Sequence, residues 1–211
     1  MIKDIDITKW INNLKTPSGI DAQLTMAPEL RVKELEEYNN STQNSHESAV
    51  LVLIYFDKEL KLLLTLRSEK LTKHSGQVSF PGGKKDKEDT NLEQTALREA
   101  WEEVGIEAQN LTLIGELSPI MIPVTGFKIV PFVAISQHRP IFNINRDEVD
   151  RIIEAPISHL LDPKFRKLKV FSNPKHQYSR QAPYFDIEGV EVWGATAMII
   201  SELLGTLFIK K

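Results

Sequence analysis

No cysteine occurs in the 211 residues. Disulfide frameworks, thiolate zinc sites and thiol nucleophiles are thereby excluded, and a cytoplasmic location is expected. The five histidines show no paired metal-ligand spacing. Long apolar runs are also missing. The most apolar segment, ATAMIISELLGTLFIKK (195–211), is too short to span a bilayer and carries Glu202 inside it. It is expected to form a C-terminal helix packed on the core. The start, MIKDIDITKW, alternates charge with apolar residues and lacks the apolar stretch of a secretory signal. Net charge is small, −3 at pH 7, so neither a nucleic-acid nor a membrane partner is expected. A small anionic substrate would need positive charge or a metal supplied locally.

Apolar residues make up 41% of the chain, enough for one sizeable core. Residues 1–48 are expected to form a helical arm and linker, with helices around ITKWINNL (7–14) and APELRVKELEEY (27–38). The polar stretch NNSTQNSHES (39–48) reads as linker. The main domain is expected over 49–211. AVLVLIYF (49–56) and LKLLLTLR (60–67) predict a hairpin turning at Asp57-Lys58-Glu59. LTLIGEL (111–117), FKIVPFVAIS (127–136), KLKVFS (167–172) and YFDIEGVEVWG (184–194) predict further strands. Pro131 suggests an edge or bulge in its strand. Residues 146–163 mix strand with short helix. Without regular βαβ spacing, this pattern points to an α+β fold with a mixed sheet between helices.

The chemistry concentrates in FPGGKKDKEDTNLEQTALREAWEEVG (80–105). Thr90 and Glu93 form a capping-box pattern, and Gly105 suits the left-handed position past a helix end, which predicts a helix over 91–104. At 100° per residue, Glu99, Glu102 and Glu103 fall within an arc of about 100°, on an outward acidic edge. Ala96, Leu97, Ala100, Trp101 and Val104 lie opposite and are expected in the core. Three adjacent carboxylates repel one another, and hard divalent cations relieve that repulsion. Arg98 could orient a glutamate by a two-pronged hydrogen bond. Gly82-Gly83 would let the backbone approach a ligand closely. A solvated acidic face is the alternative that the helix alone leaves open.

Together these residues resemble the Nudix hydrolase signature, whose second half is Arg-Glu-aliphatic-x-Glu-Glu-x-Gly-aliphatic. REAWEEVGI (98–106) matches it nearly residue for residue. The first half is one residue longer here, so the upstream acid falls on Asp89 counting forward from Gly83 and on Thr90 counting back from Arg98. The same insertion occurs in the coenzyme A pyrophosphatase subgroup, whose additional motif resembles LLTLRSEKLTKHSGQVSFPGG (63–83). Thr72 departs from it, standing where the subgroup has a basic residue; Lys73 and His74 follow directly.

The resemblance implies a Nudix-type α/β/α sandwich with a catalytic loop-helix motif. It implies hydrolysis of the diphosphate of coenzyme A or its derivatives, with Mg²⁺ or Mn²⁺. Glu99, Glu102, Glu103 and the Gly83 carbonyl are the implied metal ligands, with Arg98 beside them. Arg67, Ser68, Lys73, Gly82 and Gly83 are implied for substrate. Nudix enzymes differ in their base, some drawing it from a later loop, and Glu148 in NRDEV is a later acid. ADP-ribose or another nucleoside diphosphate derivative is the alternative substrate. A non-catalytic binding module would be expected to lose the metal-facing glutamates. A homodimer is left open, as is a basic contribution from 164–169, Lys175 and Arg180 to the 3′-phosphate.

Overall fold

The computed structural model describes residues 6–29, 31–34, 45–71, 76–123, 125–173 and 178–209. Its frame is a mixed eight-stranded sheet centred on β1 (His46–Asp57). The strand runs antiparallel to β2 (Glu59–Arg67) and parallel to β7 (Phe127–Ser136). The near-continuous apolar run of β1 reflects burial on both faces. Ala49, Leu51, Leu53 and Tyr55 enter one core, while Val52 and Ile54 enter the other. The strand begins at His46, so the expected linker ends earlier than Ser48.

The β1–β2 pairing covers only Ile54–Asp57 against Glu59–Leu62. Beyond it the hairpin splays. β3 (Val78–Ser79) lines β2, and β4 (Gly82–Lys84) lines β1 at Ser48–Val50. The Pro81 carbonyl accepts the Leu51 N–H at 2.8 Å, continuing the β1 ladder through the crossing segment. The outer edge of β2 carries β8 (Val149–Pro156). On the far side of β1, β7 carries β5 (Thr112–Glu116) and β6 (Ile120–Ile122).

Pro131 therefore lies in an interior strand, and the expected edge is corrected. Its carbonyl accepts from Leu117, in the gap between β5 and β6. A residue's N and C=O point to the same side of a strand, so the missing donor faces that gap and no ladder bond is lost.

One face of the sheet carries helix α3 (Leu92–Val104), through Ala96, Ala100 and Val104. The other carries α4 (Ile157–Leu161) and α5 (Gly194–Leu204), together with α1 (Ile7–Leu14) and the three-stranded sheet of β9 (Arg166–Asn173), β10 (Tyr178–Ile187) and β11 (Val190–Trp193). The fold is thus an α/β/α sandwich around a mixed sheet, as expected. The turn at Glu188-Gly189 has positive φ at both residues, 52° and 78°.

The N-terminal segment supplies Trp10, Leu14 and Met26 to the larger core. It also contains a helix with no counterpart in the sequence expectations, α2 (Gly19–Leu24). Of the expected helix, helical backbone is described only at 31–34; residues 27–29 are not helical, a correction that Pro28 accounts for, and 30 and 35–38 lie outside the described residues. The attachment is polar as well as apolar. Glu202 is fully buried in α5 and accepts from Gly19 N–H at 3.1 Å, Ser118 N–H at 3.0 Å and Gln23 Nε2 at 2.7 Å. A buried carboxylate needs donors to replace its water, and these three residues come from two separate segments.

Glu202→Ala should leave those donors unpaired and cost about 3 kcal/mol of stability, with Glu202→Gln costing less. Urea unfolding of the two variants measures this; an Ala variant within error of wild type would remove the anchoring role.

Candidate active site

Helix α3 starts one residue later than expected. Asn91 is the N-cap, its side chain accepting the Gln94 N–H at 2.8 Å. Gln94 Oε1 in turn accepts from the Thr90 N–H at 2.7 Å and the Thr90 hydroxyl at 2.8 Å. The cap expected from Thr90 and Glu93 is made by Asn91, and Gln94 returns its side chain to Thr90, the residue before the N-cap, so the box is not closed on Asn91 itself. At the other end Gly105 takes φ 71° in the left-handed region, as expected.

This shift settles the position of the upstream acid. Asp89 is buried, and the Arg98 guanidinium grips both its oxygens, Nε to Oδ1 and Nη2 to Oδ2, each at 3.0 Å. The Asp86 N–H and the Thr95 hydroxyl also donate to Oδ2, at 2.9 Å each. The Arg98 hydrogen bond is the largest of the effects holding the Asp89 carboxyl far below the usual carboxylate range. The two-pronged bond expected from Arg98 to a glutamate goes to this aspartate. The remaining nitrogen, Nη1, reaches Glu102 Oε2 at 2.9 Å and Glu99 Oε1 at 3.0 Å, while Nη2 also donates to the Lys84 carbonyl at 3.2 Å.

The three glutamates differ in depth. Glu102 is exposed, Glu99 is mostly covered, and Glu103 is 1% exposed. The expected outward acidic edge therefore turns inward at Glu103. Burial raises the Glu103 carboxyl to about 8, against the lowering effect of Arg67, and burial also raises Glu99. Arg67, at the end of β2, brings Nη1 to 3.5 Å from Glu103 Oε1. Arg67 Nε and Glu103 Oε2 are buried without hydrogen-bond partners.

Both glycines sit at a close approach, to unyielding backbone at Gly82 and to the movable end of Glu99 at Gly83. A Cβ at Gly82 would stand 2.4 Å from the Ala49 carbonyl oxygen, and one at Gly83 would stand 2.4 Å from the Glu99 carboxylate. Gly83 thus makes the space in which Glu99 lies.

Ser68 is buried, and its hydroxyl accepts the Lys70 N–H at 3.3 Å within a turn. Lys73, with Thr72 and His74, lies outside the described residues, as does Lys175. Trp101 is 60% exposed, which corrects its expected place in the core; Thr95 is buried in the helix instead. Lys164, Lys167 and Lys169 pair with Asp162, Asp186 and Glu191, and Arg180 pairs with Glu34. Glu148 lies near enough for its charge to raise both Glu99 and Glu103.

As the side chains stand, no three acids or histidines among the described residues are spaced to hold a metal ion. Arginines hold these acids instead: Glu99 and Glu102 on Arg98, Glu103 on Arg67. The donor set nevertheless fits a hard divalent cation. It is all oxygen, and the buried Glu103 Oε2 lacks any donor.

The layered fold and this glycine-loop-and-helix site define the class. A NUDIX domain model matches residues 45–172. The uncharacterized Nudix hydrolase NudL of Yersinia enterocolitica is 39% identical over 161 residues, 76% of this chain and 80% of the relative. The protein of the same name from Pectobacterium atrosepticum is 37% identical over 183 residues, 86% and 88% of the two chains. The solved MutT/nudix family protein of Enterococcus faecalis shares the fold, with TM-score 0.51 and 16% identity over 83% of this chain and 68% of its own. The chain belongs to the Nudix hydrolase family. Enzymes of this family generally use divalent metal ions.

Two outcomes are expected. In metal-free protein, Glu103 keeps its proton between its ordinary 4.5 and about 8 while the unfolded chain releases it. Stability contributed by this group is therefore present below the lower value and lost as pH rises towards 8. Melting temperatures of metal-free wild type and Glu103→Gln, compared from pH 5 to pH 8.5, should diverge in favour of the glutamine as pH rises; parallel curves would contradict the shift. Gly83→Ala should displace Glu99 and lower kcat/KM by roughly 100-fold, with the fold retained by circular dichroism. Undiminished turnover would mean that Glu99 needs no such space.

Proposed function

We propose that this Nudix hydrolase cleaves the diphosphate linkage of coenzyme A or its derivatives, giving 4′-phosphopantetheine and adenosine 3′,5′-bisphosphate. One observation carries the reading: the segment resembling the coenzyme A pyrophosphatase motif meets the acidic helix in space. Its Arg67 lies 3.5 Å from Glu103, and its terminal Gly83 leaves the room that Glu99 occupies.

In this reading Glu99, Glu102, Glu103 and the Gly83 carbonyl hold Mg²⁺ or Mn²⁺. The bound metal supplies charge neutralisation and Lewis-acid activation at the diphosphate. Arg98 positions Glu99 and Glu102 from one nitrogen while its other two nitrogens stay on Asp89. Arg67, whose approach to Glu103 is long, would be the contact for a phosphate oxygen. Ser68 holds the turn that follows Arg67, and Lys73 is assigned to the substrate by its place in the motif alone. Gly82 keeps the loop flat against β1. ADP-ribose is the second reading, favoured by Thr72, which stands where the subgroup has a basic residue.

Purified protein with Mg²⁺ or Mn²⁺ should convert coenzyme A to the two products when CoA, its thioesters, ADP-ribose and NADH are offered separately and the products are resolved by chromatography. Intact coenzyme A alongside rapid ADP-ribose cleavage would overturn the substrate reading.

A further inference from the structure

The segment that crosses from β2 to β1 leads into the glycine loop, and its backbone is held from three elements. β3 pairs with β2 over two residues only, Val78 opposite Leu66 and Ser79 opposite Thr65. The Val78 carbonyl accepts the Thr196 hydroxyl of α5 at 2.9 Å. The Ser79 carbonyl accepts the Thr65 hydroxyl of β2 at 3.2 Å. The Pro81 carbonyl accepts the Leu51 N–H of β1 at 2.8 Å. A backbone crossing the interior has to find partners for its polar groups. Here three carbonyls within four residues find them in α5, β2 and β1.

Both threonines are buried, Thr65 completely. A buried hydroxyl is costly unless it is bonded, and each of these spends its proton on the crossing segment. Ser79 Oγ also lies 3.2 Å from Thr65 Oγ1, which ties the same residue to β2 a second time. Thr65 stands in LLTLRS, where valine would suit a strand equally well by shape and propensity. Thr196 stands in the first turn of the apolar helix α5, among residues that pack on the larger core. What sets the two threonines apart from their apolar neighbours is the hydroxyl.

The crossing segment sets the place of the next two residues. Phe80 lies between the held carbonyls, 2% exposed, and anchors the segment in the larger core. The Gly82 N–H acts on the Glu103 carboxylate, opposing the rise that burial causes. Gly82 also lies tight on β1, where a Cβ would stand 2.6 Å from the Val50 Cα. Gly83 follows directly and faces the Glu99 carboxylate. Any shift of residues 78–81 therefore moves both glycines against the two acids at once.

We propose that Thr196 and Thr65 are positioning residues of the active site. Their hydroxyls fix the crossing segment, and through it the stand of Gly82 against Glu103 and of Gly83 against Glu99. A displacement of about 1 Å far from the reacting atoms can cost roughly 100-fold in rate, so two hydrogen bonds at this distance matter to turnover. Helix α5 thereby acts on the site from the face of the sheet opposite α3. This rests on the diphosphate-hydrolase reading above, though not on which diphosphate is the substrate.

The test compares wild type with Thr196→Val, Thr196→Ser, Thr65→Val, and Thr196→Val combined with Gly83→Ala. Glu202→Gln, a change in the same helix away from β3, is the stability control. Turnover is followed on whichever offered diphosphate the wild type cleaves. Exchange of the Leu51 amide is followed by NMR in metal-free protein. Thr196→Val should lower kcat roughly ten- to a hundredfold, with KM moved much less. Thr196→Ser keeps the hydroxyl and should hold kcat within roughly threefold of wild type. Because Leu51 donates to Pro81, its amide should exchange roughly tenfold faster in Thr196→Val, with the amides of β7 little changed. In the Gly83→Ala background Thr196→Val should cost less than it does alone. Glu202→Gln should lower stability and leave kcat unchanged. Thr65→Val removes the second hydroxyl, from a different element, and carries the same comparison should Thr196→Val fail to fold. Near-normal kcat in the valine variants would overturn the proposal. So would a Thr196→Ser as slow as Thr196→Val, Leu51 exchange that rises only as far as in Glu202→Gln, or losses that simply multiply. A wild type that cleaves ADP-ribose but not coenzyme A would sink the substrate reading and leave this comparison standing.

Discussion

The bond between Arg98 and Asp89 is the constraint on which the site depends. Asp89 is almost fully buried, a position an isolated carboxylate could not occupy. The fork of Arg98 compensates it from a helix, while the Asp86 N–H and Thr95 hydroxyl complete its shell. The same guanidinium reaches Glu99, Glu102 and the Lys84 carbonyl. One side chain thus fastens the loop after β4 to the helix and orients two acids at its edge. Lysine in its place would be a point charge without the fork and could not meet both oxygens of Asp89 in this way.

Much of this frame was legible in the sequence, because the relevant signals are local. Helical spacing put Glu99, Glu102 and Glu103 on one arc, and the αL glycine marked the helix end. Strand limits followed apolar runs bounded by turns, with Phe127–Ser136 read in full. Depth was not legible. A helical wheel gives angle only, and whether Glu103 or Trp101 is covered depends on what the rest of the chain lays beside the helix. That is why Trp101 was expected inside and found exposed, while Glu103 was expected at an outward edge and found buried.

Long-range polar bonds were equally hidden. Glu202 stood out as a charge in an apolar tail, but its donors come from residues 19, 23 and 118. Nothing local to residue 202 announces them. Asn143 and Asn145 reach the end of α3 in the same way, through backbone donors that any residue type except proline could supply. The upstream acid was an intermediate case. Counting along the chain left Asp89 and Thr90 both eligible, and the register of the cap decided between them: with Asn91 as N-cap, Thr90 is drawn onto Gln94 and Asp89 turns under Arg98.

The remaining tension in the site is electrostatic, and it gives the arrangement a direction. Burial raises both Glu99 and Glu103, the neighbouring acids add to the effect, and the two arginines offset it. The offset at Glu103 is incomplete, since Arg67 stands at 3.5 Å and one buried atom on each partner lacks a hydrogen bond. A short, well-formed pair would hold both groups to each other. A long one with unsatisfied atoms leaves each group able to exchange partners at little cost: the carboxylate for a cation, the guanidinium for a phosphate. Each exchange removes the partner that the other group would otherwise keep, so, in the proposed reading where Glu103 takes a cation and Arg67 a phosphate, the two binding events should favour one another through this single pair.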